Sequence, residues 1–137
     1  VGESTAERIK IEGGAAITEL ENPPDEYAVH GRDMLTGIPK EIKVNYKEIA
    51  SCLDKSISKI EAAVLNALEK TPPELSADIY RTGIYVAGGG SMLRGLDERL
   101  HHKTKLSVHV AEDPLRAVAR GTGIALKNFD KFTFLIK

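Results

Sequence analysis

The stretch Gly83–Leu100, GIYVAGGGSMLRGLDERL, decides how this chain is read. Ile84, Tyr85, Val86 and Ala87 form a short apolar run with β-branched and aromatic members, which predicts a buried strand. Gly88, Gly89 and Gly90 follow directly. Leu93, Leu96 and Leu100 then recur at helical spacing, with Ser91 placed to act as N-cap. The predicted order is strand, glycine turn, helix. Three glycines remove side chains where the chain must turn sharply. A helix that starts there presents unpaired N–H groups and the positive end of its dipole. Such a turn suits a phosphate or a ribose. It also suits a plain strand-to-helix connection that binds nothing, and the glycines alone leave both readings open. Neither a GxGxxG fingerprint nor a GK[ST] phosphate loop is present.

Downstream, Leu106–Val110 alternates in polarity and predicts a second strand. With the helix between them, the two strands make a candidate parallel crossover. Two strands cannot cover the helices around them, so the sheet should have further members. The chain also starts at Val1 and not at a methionine. Both features predict a piece of a longer protein. Asp113 and Pro114 read as cap and first residue of a last helix, with Leu115, Val118, Ala119 and Leu126 as its buried face. Gly121 and Gly123 within it suggest close backbone packing. The apolar tail, Phe129 to Ile136, could pack on the body or form a contact.

Upstream, Gly2 to Ile11 predicts a helix, with Ser4 and Glu7 at capping-box spacing and Gly13–Gly14 as its stop. Asn22–Asp25 is a loop. Tyr27–His30 and Ile42–Val44 predict two paired strands joined through Gly37, Ile38 and Pro39. Asn45 and Glu48 then open a long helix. In it Ile49, Leu53, Ile57, Ile60, Val64 and Leu68 form the clearest apolar stripe in the chain, with Lys47, Asp54, Lys55, Lys59, Asn66 and Glu69 opposite. Thr71, Pro72 and Glu74 read as cap, first helical residue and box partner of a short helix ending near Gly83.

At 137 residues the chain has the size of one domain. Its net charge of -1 gives no electrostatic ground for nucleic-acid binding. The single cysteine, Cys52, allows no internal disulfide and reads as a buried structural thiol. No run is long and apolar enough to span a membrane. His30, His101, His102 and His109 lack metal-ligand spacing, and His101 and His102 read as dipole partners at a helix C-terminus. No GxSxG or HExxH motif occurs. Glu7 and Lys10 lie a turn apart, which alone reads as an exposed ion pair. No reaction is declared by these residues.

Five segments carry more. STAERIK (4–10), HGRDMLTGIPK (30–40), TPPELSADI (71–79), AGGGSMLRGLDERL (87–100) and AEDPLRAVARGTG (111–123) resemble, in order and without large gaps, the MreB family of bacterial actin-like proteins. The resemblance implies an α/β, actin-like (ribonuclease-H-like) ATPase fold, of which this chain is a partial second half with a small α+β outer subdomain. Residues 20–70 would be the outer subdomain, and 1–19 and 71–137 part of the inner one. It further implies an ATP-binding, filament-forming cytoskeletal parent that sets rod shape, using ATP with magnesium. Gly88, Gly89 and Gly90 match the family's adenosine loop, Met92 a position abutting adenine, and Glu7 and Lys10 the helix on the other side of the nucleoside. The phosphate-gripping and hydrolytic loops would lie outside this chain, which alone should not hydrolyse ATP. Implied partners are further subunits in a filament, a RodZ-like membrane adaptor and the cell-wall elongation machinery. The implied place is the cytoplasmic face of the bacterial plasma membrane, reached through segments absent here. Two other readings stay open: a nucleotide-independent partner-binding module, and a piece of a sugar-kinase or chaperone-type relative.

Overall fold

The computed structural model describes residues 1–132. Its elements are α1 (Glu3–Gly13), β1 (Tyr27–Arg32), β2 (Pro39–Val44), α2 (Tyr46–Glu69), α3 (Pro73–Thr82), β3 (Ile84–Val86), α4 (Leu96–Thr104), β4 (Val108–Val110) and α5 (Ala117–Lys127), with single 3-10 turns at Gly89–Met92 and Phe129–Lys131. β1 and β2 pair antiparallel, Tyr27 opposite Val44 and Arg32 opposite Pro39. β3 and β4 pair parallel across α4, Ile84 opposite Val108. The crossover expected from the sequence is therefore present.

Most local signals act as read. Asn45 accepts from the Glu48 N–H while Glu48 accepts from the Asn45 N–H, a complete capping box for α2. Gly13 and Gly14 close α1. Gly83 closes α3 at φ +80°, where a Cβ would also lie 2.5 Å from the Ser107 carbonyl oxygen. The hairpin is longer than the apolar runs suggest. Asp33 accepts N–H bonds from Leu35 and Thr36 at its tip, and His30 faces Glu41 at 2.7 Å across the strands.

Other caps differ. α1 starts after Gly2 without a side-chain cap, so Ser4 and Glu7 form no box. Thr71 donates back to the Ala67 carbonyl, and α3 starts after Pro72 with Pro73 inside its first turn. Asp113 caps nothing. It sits at φ +48° in a turn, and α5 begins later, at Ala117.

The core lies where α2 meets α4 and the parallel pair. Ala16, Ile57, Leu96 and Leu100 are buried together, with Leu53, Val64, Val86, Leu93 and Val108 packed on them. The long apolar stripe of α2 holds except at Ile60, which is 48% exposed. One residue on, Glu61 turns inward and is 7% exposed, because a cation on α4 receives it. The face predicted for the last helix is exposed. Leu115, Val118, Ala119 and Leu126 all lie open, and a Cβ at Gly121 or Gly123 would meet no atom within 4 Å. No described element packs on that side of α5 closely enough to bury a residue. Of the apolar tail, Phe129 is exposed in a 3-10 turn; 133–137 lie outside the described residues. Among the described residues no helix is long and apolar enough to cross a membrane.

Candidate functional site: a glycine turn and a charged pair on the first helix

The glycine turn is built differently from the strand–turn–helix expected. β3 ends at Val86, Gly88 takes φ +84°, and Gly89–Met92 form one 3-10 turn. Ser91 is no helix cap. It is buried inside that turn, and its hydroxyl donates to the Gly88 carbonyl at 2.8 Å. α4 starts only after Gly95, which takes a left-handed φ of +73° and whose missing Cβ leaves room for the Ile17 and Leu20 side chains. The first turn of α4, with its unpaired N–H groups, thus does not begin at the three glycines. What remains at the turn is backbone. The Gly88 N–H donates to the Pro114 carbonyl at 2.8 Å, while the Gly89 and Gly90 N–H groups have no acceptor among the described residues. A Cβ at Gly90 would meet open space. Two adjacent free donors on a side-chain-free surface can hold one anion or hydroxyl oxygen. Met92 stands exposed at the end of the turn.

The Asp113–Leu115 turn supports this surface from behind. Pro114 fixes Gly88, and Leu115 comes within 3.3 Å of where a Gly89 Cβ would be. The sequence marked Asp113 and Pro114 as a helix start. Their role as a brace depends on β4 running parallel to β3 and delivering them beside the glycines.

Glu7 and Lys10 lie on α1, and the Lys10 ammonium reaches both Glu7 oxygens at 2.7 Å. Both side chains are about half exposed, so the pair adds little stability and remains available to a ligand. They also line a groove of about 520 Å³ between α1, the hairpin and α2, with Ile9, Val29, Ile42, Ile49 and Leu53. None of Gly88, Gly89, Gly90 or Met92 lines that groove. Cys52 does, and it is exposed, contrary to the buried thiol expected, because the groove is open where Cys52 projects from α2. His101 and His102 occupy the last turn of α4 as expected, and His101 Nδ1 lies 2.6 Å from the Leu106 carbonyl. Among the described residues no three His, Cys, Asp or Glu side chains converge on a metal position.

Two arginines were not legible as site residues. Arg94 Nη1 donates to the Glu12 and Gly14 carbonyls, at 2.8 and 3.4 Å, and the Arg94 carbonyl accepts from Ala16 N–H at 2.8 Å. Arg99 donates to Glu61 at 2.6 Å, to Asp54 at 2.8 Å, to the Ala16 carbonyl at 2.9 Å and to Ser58 at 3.2 Å. The Glu61 hydrogen bond raises the Arg99 pKa against the opposing effect of burial, so this guanidinium stays charged. Asp54, assigned from the sequence to the solvated face, belongs to this cluster. The spacing 54, 58, 61 places all three partners on one face of α2 and was the available signal.

The same arrangement of elements occurs in solved actin-like structures. MreB5 of Spiroplasma citri bound to ADP superposes with a TM-score of 0.87 at 37% identity, over 96% of this chain and 39% of that one. The same protein bound to AMPPNP gives 0.86. The fold is thus part of an actin-like α/β fold. A profile of the MreB/Mbl protein family matches residues 1–134, and the chain belongs to that family. Its relatives include the cell shape-determining protein Mbl of Bacillus subtilis, 45% identical over 131 residues, and the cell shape-determining protein MreB of Escherichia coli K12, 45% identical over 133. The chain spans 39% of the former's length and 37% of the latter's.

Proposed function

We propose that this chain supplies the adenosine side of an ATP-binding cleft, in a protein that assembles into filaments and controls rod cell shape. Gly88, Gly89 and Gly90 would line the nucleoside with backbone, Met92 would abut the adenine, and Glu7 and Lys10 would face it from α1. The observation that carries this is the pair of unpartnered N–H groups at Gly89 and Gly90, beside open space at Gly88 and Gly90 and with Leu115 packed against Gly89. Support comes from the relatives, named as cell shape-determining proteins, and from the ADP- and AMPPNP-bound MreB5 structures. Residues 20–70 would form the outer subdomain, and 1–19 with 71–137 part of the inner one. ATP, with magnesium at its phosphates, would supply the charge and size that hold two halves together. The residues described here would position only the nucleoside end, so ATP hydrolysis is proposed for the parent and not for this chain.

Self-association, a RodZ-like membrane adaptor, the elongation machinery and a place at the inner membrane face belong to the same proposal. One surface favours a contact with another chain. Met34 and Leu35, at the hairpin tip, are 93% and 97% exposed on a turn whose Leu35 and Thr36 N–H groups donate to Asp33. Large apolar side chains so fully presented are suited to burial against a partner.

Adenosine and ATP titrations of the 137-residue chain, followed by amide chemical shifts, test the site. Shifts should concentrate at Gly89, Gly90, Met92, Glu7 and Lys10, with weak affinity, and Gly90→Asp should abolish them without unfolding the chain. Tight magnesium-dependent ATP binding, or shifts confined to the groove near Cys52, would overturn the reading.

A further inference from the structure

Between the two proposed walls the apolar core reaches the end of α1 through Ala16 and through Leu93, whose side chain lies 3.1 Å from where a Gly14 Cβ would be. That core joins α2, α4 and the parallel pair, whereas Glu7 and Lys10 sit on α1. Two arginines also join the walls. Arg94 lies two residues past Met92, at the exit of the glycine turn, and its guanidinium donates to the Glu12 carbonyl in the last turn of α1 and to the carbonyl of its C-cap, Gly14. These are acceptors that a helix end leaves unpaired, at the negative end of its dipole, so a cation is favoured there. The Ala15–Arg94 bridge and the Ala16 N–H bond to the Arg94 carbonyl add a backbone seam beside it. Ala15 and Ala16 are 0% and 1% exposed, and only a small side chain permits so close an approach. Lys10 is about 3 Å along the axis from Glu12, and Glu7 about 7.5 Å. A shift of the α1 end relative to Arg94 is therefore passed directly to both.

Arg99 works one turn further along. It grips the same segment through the Ala16 carbonyl and ties it to Asp54, Ser58 and Glu61 on α2. A planar guanidinium with donors in a fixed fork sets angle as well as distance, which an ammonium cannot do. The Arg99 side chain is 17% exposed, so water does not compete freely for its donors.

We propose that Arg94 and Arg99 are positioning residues: Arg94 fixes the spacing between the Glu7/Lys10 helix and the Gly88–Gly90 turn, and Arg99 anchors that pair to α2. The positioning of nucleotide rests on the reading of the cleft given above; the mechanical link does not. Neither arginine touches the ligand. Their effect on binding is confined to the nucleoside end, so adenosine, ADP and ATP should lose affinity by the same factor.

The test uses the 137-residue chain with Cys52→Ser and nitroxide labels at Arg8→Cys and Glu98→Cys, both exposed positions on α1 and α4. The unaltered chain should give one narrow label-to-label distance distribution. Arg94→Ala should broaden it and weaken adenosine binding about fivefold. Arg94→Lys, which reaches one carbonyl, should recover part of both. Arg99→Met is the second variant, read the same way, with far-UV circular dichroism to show that the chain is folded. An Arg94→Ala chain that is folded, keeps the narrow distribution and binds adenosine unchanged overturns the proposal, even if its unfolding midpoint falls. A broadened distribution together with no adenosine binding by the unaltered chain overturns the nucleotide reading and leaves the mechanical link standing. The two failures are therefore distinguishable.

Discussion

Replacing Glu61 with alanine is the sharpest test of how α2 is joined to α4. The Glu61 carboxylate is 9% exposed and accepts from Arg99 at 2.6 Å. A hydrogen bond between charged groups contributes about 1.5–3 kcal/mol to stability. Breaking a fully buried ion pair from one side costs about 3–5 kcal/mol, since the other charge is stranded. Arg99 is not stranded, because Asp54, Ser58 and the Ala16 carbonyl still receive its other donors. The expected cost of Glu61→Ala is therefore near the lower range, about 2 kcal/mol. Against a total stability on the order of 10 kcal/mol for a domain of this size, that is readily measured. Urea unfolding of the chain gives it as a shift in midpoint at constant slope. Pairing Glu61→Ala with Arg99→Met in a double-mutant cycle should return a coupling of about 1.5 kcal/mol. Arg81→Ala is the contrast: its bond to Asp78 is exposed, so the loss should be under about 1 kcal/mol. A Glu61→Ala cost within about 0.5 kcal/mol, the range of ordinary surface changes, would refute the claim that this pair organises the junction.

Two further outcomes are expected. Leu100→Ala, at the centre of the core, should cost about 3 kcal/mol in thermal or urea unfolding, while Ile60→Ala on the same protein should cost under about 0.5 kcal/mol; equal costs would show that the α2 stripe faces inward at Ile60 after all. The hairpin tip should respond to acid. The Leu35 and Thr36 N–H groups stabilise the Asp33 carboxylate and lower its pKa below the ordinary 3.8. With the folded value lowered, the contribution is fully present above the unfolded pKa and is lost as pH falls through the folded one. The Leu35 and Thr36 amide signals should thus titrate together with a midpoint below 3.8, and a midpoint at or above it would contradict the turn geometry.

Much of the secondary structure was legible because its causes are local. The Asn45–Glu48 box, the Gly13–Gly14 and Gly83 stops, the alternation that makes β1, β2 and β4, and the period of α2 each depend on residues within a few positions of one another. The glycine turn was legible in part: the strand ends before the glycines and the chain turns there, but the helix expected to follow at once begins only after Gly95. The errors were also local readings. Ser4, Thr71, Ser91 and Asp113 all stand where a cap is chemically reasonable, and each has its hydroxyl or carboxylate elsewhere or its backbone in another conformation. A cap signal states that a residue is able to end a helix, and the neighbouring carbonyls decide whether it does.

What only tertiary structure decided is which residues meet. Glu61 interrupts an apolar stripe and reads as an ordinary surface acid until α4 brings Arg99 against it, 38 residues away in sequence. Arg94 is an unremarked basic residue until the chain returns to set α1 beside it, 82 residues from its partner Glu12. Leu115 and Val118 have the periodicity of a buried face, yet burial requires a second surface, and none of the described elements provides it. Periodicity, capping and glycine content are properties of a short segment and survive in one dimension. Ion pairs across elements and the burial of a face depend on the relative placement of segments, which the packing of α2 on α4 and the parallel β3–β4 pair alone establishes.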